Sequence, residues 1–258
     1  MEDKSKPSIS VYIRTLNEER MIGDVVRAAQ QVADEIVVID SGSTDETVAI
    51  AASAGARIVT HEWAGNGRQK RIAEDACKCD WLLDLDADEI ITPAFADEVS
   101  ALFARGKPPN DAYRTMLALA PPVGEPWRNF GLQTRYKLYD RRCFRAPDHE
   151  AWDQFEVPAG ANIGVLREPI LHYAFKDFAQ LIGKLNRNSS VRAEKLKPKS
   201  APYLAIRILF GWPFYFIKKY FLQQYFRGGI YGFAIALMSA QGRWFRDVKS
   251  WERLQSKK

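Results

Sequence analysis

Trp81-Leu82-Leu83-Asp84-Leu85, followed at once by Asp86-Ala87-Asp88-Glu89, decides how this chain reads. The apolar run predicts a buried strand, and the strand ends in a knot of carboxylates. Carboxylates packed so closely repel one another and lose hydration unless a cation neutralises them. Alternately spaced hard oxygen ligands suit Mg²⁺ or Mn²⁺ beside a phosphate. The first expectation is therefore a metal-dependent site for a phosphorylated ligand.

Outward from this stretch, strand and helix alternate. Ile9 to Ile13 is a short β-rich run, and Glu18 to Val32 has helical spacing at Ile22, Val25, Val26 and Ala29. Glu35 to Ile39 reads as a strand, Asp45 to Ala54 as a helix with Ser43 or Thr44 as N-cap, and Arg57 to Thr60 as a strand. A polar loop at Ala64 to Gly67 opens a helix to about Cys77, and a further helix runs from Pro93 to Phe103. This rhythm, with strands apolar on both faces, predicts an α/β fold: a mostly parallel sheet flanked by helices. In such sheets ligands bind outside the carboxyl ends of the strands.

Three polar clusters fall at those ends: Arg14-Thr15-Leu16-Asn17-Glu18-Glu19, Asp40-Ser41-Gly42-Ser43-Thr44-Asp45, and Asp86-Ala87-Asp88-Glu89. Asp40 can accept hydrogen bonds from a base or ribose, and Ser41, Gly42 and Ser43 form a tight turn with free amides and hydroxyls. Ser43, Thr44 and Asp45 also suit plain helix capping. No G-x-x-x-x-G-K-[ST] motif is present, and Gly65-Asn66-Gly67 follows the wrong strand for a dinucleotide fingerprint, which leaves a metal to hold the phosphate. Arg68, Lys70 and Arg71 are candidate cations toward a pyrophosphate, against the plainer reading of a solvated helix face.

A length of 258 residues with 47% apolar content suffices for one domain with additions. The net charge of +5 hides a split: 20 basic and 28 acidic residues through Phe175, then 17 basic and 4 acidic from Lys176 onward. Cys77, Cys79 and Cys143 have no zinc-like spacing, which predicts reduced thiols in the cytosol. The polar start at Met1 lacks the apolar segment of a signal peptide, so the chain is expected to stay inside the cell.

From about Ala201 the composition changes. This tail holds 15 of the 31 aromatic residues, and its longest uncharged stretch, Gly228 to Gly242, is 15 residues. A bilayer span needs about 20 apolar residues, so basic aromatic helices lying peripherally on an anionic membrane surface are expected. Ordinary packing of aromatic helices is the plainer alternative. No nucleic-acid-binding module is recognisable, and no nucleic-acid partner is expected.

The clusters at Thr15-Leu16-Asn17-Glu18-Glu19, Asp40 to Asp45 and Leu85 to Glu89, in this order and spacing, resemble the GT-A glycosyltransferases of family 2 over roughly the first 105 residues. The resemblance implies a GT-A, Rossmann-like fold, a nucleotide-sugar donor, usually UDP-linked, and a divalent metal held by an Asp-x-Asp motif. On that likeness Thr15, Asn17, Glu18, Asp40, Ser41, Lys70 and Asp86 surround the nucleotide sugar, with Asp40 on the uracil. Asp86, Asp88 and His172 are the expected metal ligands. Family members often carry Asn where this chain has Arg71.

Arg135 to Arg142, Asp148-His149-Glu150, Leu171-His172-Tyr173 and Lys184 to Arg187 look like the lipopolysaccharide core β-glucosyltransferase branch. There the His-Glu pair occupies the position of the base, which makes Glu150 the expected catalytic residue, with Asp148 and Asp153 competing. His149 either orients Glu150 or joins the metal. The domain expectation is a catalytic domain over 1–200, with a nucleotide-sugar half at 1–105 and an acceptor half at 106–200, and a basic aromatic tail at 201–258.

The resulting expectation is an inverting hexosyltransferase, cytoplasmic and peripheral on the inner face of the cell membrane. It moves glucose from UDP-glucose to a lipid-linked glycan such as the lipopolysaccharide inner core. A polyprenyl-phosphate or exopolysaccharide acceptor, and an inactive sugar-nucleotide or membrane-binding module, are the alternatives.

Overall fold

The computed structural model describes residues 7–150, 152–195 and 199–256. The chain divides into two compact units: one runs up to Leu117 and includes Gln133–His172, and the other comprises Ala118–Leu132 and Tyr173 onward.

The first unit opens with β1 (Ile9–Thr15), α1 (Ile22–Ala29), β2 (Glu35–Asp40), α2 (Thr47–Ser53), β3 (Arg57–Thr60), α3 (Asn66–Ala76) and β4 (Trp81–Asp86). It continues with β5 (Glu89–Ile91), α4 (Pro93–Phe103), β6 (Ala112–Leu119, whose last two residues belong to the second unit), β7 (Gln133–Asp140), β8 (Ile163–Val165) and β9 (Ile170–His172). The sheet order is β3-β2-β1-β4-β7-β6-β9-β5, with β8 beside β6. β1 pairs in parallel with β2 and with β4, and β2 in parallel with β3, whereas β7 runs antiparallel to β4 and β6. The α/β expectation holds. The parallel half is buried on both faces: Val11, Ile13, Val38, Leu83 and Leu85 pack against α1 and α4, and Tyr12, Val37, Ile39 and Leu82 pack on the other side with Ala73 of α3. Such double burial needs strands that are apolar throughout, which is how they read.

Two helix boundaries differ from expectation. α1 starts at Ile22 rather than Glu18, because Asn17 adopts a left-handed conformation (φ 53°) and Glu18 closes a turn by accepting from Met21 N and Ile22 N. The four predicted apolar positions, Ile22, Val25, Val26 and Ala29, are all buried. α2 starts at Thr47, and neither Ser43 nor Thr44 caps it: their groups are drawn to Asp40 and Asn17, while Asp45 Oδ1 accepts from Thr47 N at 3.1 Å.

The second unit carries α5 (Phe178–Lys195), α6 (Ala201–Ile217) and α7 (Gly229–Gln255), a helical, aromatic-rich region. Its core gathers Leu119, Trp127, Phe175, Leu181, Tyr225, Ile235 and Ala236. Gly242 allows α7 close to α5, since a Cβ there would lie 3.1 Å from Leu185. Pro213 lies inside α6, which continues through it to Ile217, and a wide π turn follows at Lys218–Leu222. Among the described residues no helix is long and apolar enough to cross a membrane.

Candidate active site

Register brings the predicted clusters to one end of the sheet. Thr15 of β1 stands opposite Asp40 of β2, and Arg14 stands opposite Asp86 of β4. The carboxylate of Asp40, 2% exposed, accepts from Gly42 N (3.0 Å), Ser43 N (3.0 Å) and the Ser43 hydroxyl (2.5 Å), and so shapes its own turn. Asn17 N donates to Ser43 Oγ at 2.9 Å, and Asn17 Oδ1 accepts from Thr44 N at 2.9 Å, which locks the first two clusters together. Glu18 N donates to Thr47 Oγ1 at 2.8 Å, and Ser41 Oγ accepts from Gln69 of α3 at 3.2 Å. The buried hydroxyl of Thr15 has no hydrogen-bond partner in the structure. A buried hydroxyl left unpaired costs about 1–3 kcal/mol, which a ligand's polar group would offset.

Beneath lies a buried charge network that links Lys70, Asp86 and Asp153, which the sequence reading singled out, to Asp84 and Lys137, which it did not. Leu83 of β4 opposes Leu138 of β7, so Lys137 comes beside Asp84: its Nζ is 2.6 Å from Glu89 Oε2 and 3.7 Å from Asp84 Oδ2. Burial works against the Lys137 ammonium, but Asp84, Glu89 and Asp86 outweigh it and raise its pKa. Glu89 Oε2 also accepts from Asp86 N at 3.0 Å, folding the carboxylate turn back on β4. Lys70, 6% exposed, places Nζ 2.7 Å from Asp84 Oδ2 and 3.6 Å from Asp153 Oδ2. Arg14 pairs with Asp86 and reaches Asn66 O at 3.4 Å. Against the effect of burial, Arg14, Lys137 and Lys70 hold the Asp86 carboxyl well below the usual carboxylate range. The one available signal was Asp84 itself, a carboxylate inside an apolar strand that requires a buried cation.

Asp88 and His172 meet through a strand pair that the sequence left unread. β5 runs antiparallel to β9 with Glu89 opposite His172, which brings His172 Nε2 to 3.5 Å from Asp88 Oδ2. Burial lowers the histidine pKa, but the hydrogen bond and charge of Asp88, with Glu89 and Asp86 behind, raise it overall. Among the described residues no three His, Cys, Asp or Glu side chains gather as a metal cage. The pair of one carboxylate and one imidazole, 13% and 21% exposed, still fits a divalent ion that takes its other ligands from diphosphate and water.

The predicted base lies on a loop seated over the start of α3. Glu150 is exposed; its carbonyl accepts from Asn66 N at 2.8 Å, and that of His149 accepts from Gly67 N at 3.0 Å. Only glycine fits beneath: a Cβ on Gly65 would lie 2.4 Å from Glu150 O, and one on Gly67 would lie 2.4 Å from both Pro147 O and Trp152 O. His149 Nδ1 accepts from Trp152 N at 3.0 Å, and Asp148 pairs with Arg68 at 3.0 Å. Arg71 is held by the carbonyl of Ala146 at 2.8 Å. The first turn of α3 is thereby capped by this loop.

The profile described as Glycosyl transferase family 2 matches residues 10–162. An uncharacterized glycosyltransferase of Rickettsia bellii is 31% identical over 258 residues, covering 96% of this chain and 88% of its own. The lipopolysaccharide core biosynthesis glycosyltransferase LpsC of Rhizobium meliloti is 29% identical over 257 residues, covering 96% of this chain and 93% of its own. Glucosyl-3-phosphoglycerate synthase from Mycobacterium tuberculosis, solved with Mn²⁺, uridine diphosphate and glucosyl-3-phosphoglycerate, is 28% identical with a TM-score of 0.36; the match covers 46% of this chain and 45% of that one, less than half of each.

Proposed function

The chain belongs to glycosyl transferase family 2 and is a glycosyltransferase, and on that premise we propose that it transfers a hexose with inversion from a UDP-sugar to a lipid-linked glycan. Glucose is the proposed sugar, and the lipopolysaccharide inner core the proposed acceptor. The name of the Rhizobium relative supports the acceptor. The observation that carries the reading is the approach of His172 to Asp88, two residues beyond Asp86, at the sheet end that also bears Thr15 and Asp40.

In this reading Thr15, Asn17, Glu18, Asp40, Ser41, Lys70 and Asp86 surround the donor. The unpartnered Thr15 hydroxyl supports that placement. Asp88 and His172, with Asp86, would hold Mg²⁺ or Mn²⁺, which neutralises a diphosphate leaving group. Glu150 takes the proton of the acceptor hydroxyl as that oxygen attacks the anomeric carbon, and the bond from that carbon to the diphosphate breaks on the opposite face. Residues 1–105 serve the donor, 106–200 the acceptor, and 201–258 the inner face of the cell membrane.

Turnover of UDP-glucose on a core lipid acceptor, with calorimetry of UDP binding, tests the assignment. Glu150→Gln keeps UDP binding and lowers turnover by about 10²–10⁴-fold. Asp88→Ala removes the stimulation by Mn²⁺. Full turnover of either variant takes that residue out of the site, and a panel in which no UDP-sugar stabilises the protein ends the donor assignment.

A further inference from the structure

α6 is amphipathic the wrong way round for a helix facing water. Tyr203, Ile206, Phe210, Phe214, Ile217 and, past the π turn, Phe221 recur at intervals of three and four residues and are 48–68% exposed. A water-facing helix puts its charges there. Here the one charge within the helix turns inward: Arg207 makes a two-pronged pair with Asp247 of α7, which is 1% exposed, at 2.8–3.1 Å. Leu222 and Ile230, 75% and 87% exposed, extend the apolar face beyond the helix. Leu209 and Pro213 edge an open groove of about 490 Å³ walled by Trp212, Leu237, Gln241 and Trp244, so the apolar surface continues between α6 and α7. Contiguous exposure on this scale marks an interaction site.

Charge identifies the occupant. Between Glu194 and Asp247 the sequence has nine Lys and Arg residues and no Asp or Glu. Lys199 lies just before α6, 5.2 Å from the Tyr203 ring, and Lys218 is exposed just after it. A second copy of this chain would bring the same cations against themselves, whereas phospholipid phosphates neutralise them. The helix is about 25 Å long, enough to lie along a membrane surface.

We propose that α6 lies flat in the boundary between headgroups and acyl chains of an anionic phospholipid bilayer. The Tyr203-to-Phe221 stripe faces the acyl chains, and Lys199 and Lys218 lie in the phosphate layer at its two ends. This face gives the lipid-linked acceptor of the preceding reading a bilayer to come from. It rests on that reading only for the membrane role of 201–258 and needs neither donor nor turnover, so its failure would remove that role and leave the transferase reading standing.

The test is flotation of the full chain, without nucleotide, on phosphatidylglycerol or phosphatidylcholine vesicles. Phosphatidylglycerol vesicles bind it in a salt-sensitive manner, and brominated acyl chains quench its tryptophan fluorescence. Phe210→Ser with Phe214→Ser weakens binding at least about tenfold while circular dichroism is unchanged. Lys199→Glu and Lys218→Glu each weaken it about fivefold or more on the anionic vesicles alone. Unweakened binding by the folded double serine variant, or equal binding to both lipids, overturns the proposal. So does a wild-type dimer that the serine substitutions dissociate and that binds no vesicle. If the double variant does not fold, wild-type fluorescence decides: no quenching by brominated chains also overturns it.

Discussion

Lys137 carries the electrostatics beneath the site. At 3% side-chain exposure it holds Glu89 at 2.6 Å, and Glu89 in turn accepts from Asp86 N, so one ammonium secures the turn that presents Asp86 and Asp88. Removing one partner of a buried pair leaves an uncompensated charge, which costs about 3–5 kcal/mol. Lys137→Met is expected to destabilise the protein by that amount, read as a lower urea midpoint, and adding Glu89→Gln should restore part of it. Thr15, Asn17, Asp40 and Asp88 were legible as residues because they follow apolar strands. Lys137 was not, since its partners Asp84 and Glu89 lie about fifty positions away and no local pattern links them.

Among the elements, α3 and the loop over it depend on small side chains. The carbonyls of Pro147, His149 and Trp152 converge on Gly67, where a Cβ would meet backbone at 2.4–2.8 Å. Gly67→Ala must therefore move the loop that bears Glu150, and about 1–3 kcal/mol of destabilisation is expected by thermal unfolding. Turnover should fall while UDP binding persists, because the other donor residues lie on different elements and Lys70, on α3 itself, is held by Asp84 of β4 at 2.7 Å. Periodicity found β3 and α4 with their observed bounds. It missed β5, whose three residues are too few to show a period, and with β5 the pairing that carries His172 to Asp88. It also extended α1 through Glu18 to Met21, which form a turn because Asn17 is left-handed.

At the scale of the molecule, each unit has its own core. α6, α7 and the turns between them are part of the second unit, and Tyr225, Ile235 and Ala236 close its core over Trp127 and Phe175. Deleting residues from 201 onward should therefore expose Trp127 and Phe175, seen as dye binding and aggregation; a soluble truncated chain with an unchanged thermal midpoint would contradict this. The sequence by itself determined the α/β rhythm, the strand ends that carry the polar clusters, and the basic aromatic character of the tail. Each is a local property, set by the period of apolar residues and by composition. Tertiary structure alone decided that Lys70 and Lys137 are the cations that neutralise Asp84, that His172 stands 3.5 Å from Asp88, and that α6 turns its aromatic side chains outward and Arg207 inward. Those outcomes depend on strand register and helix rotation, which are settled by contacts between residues far apart in the chain.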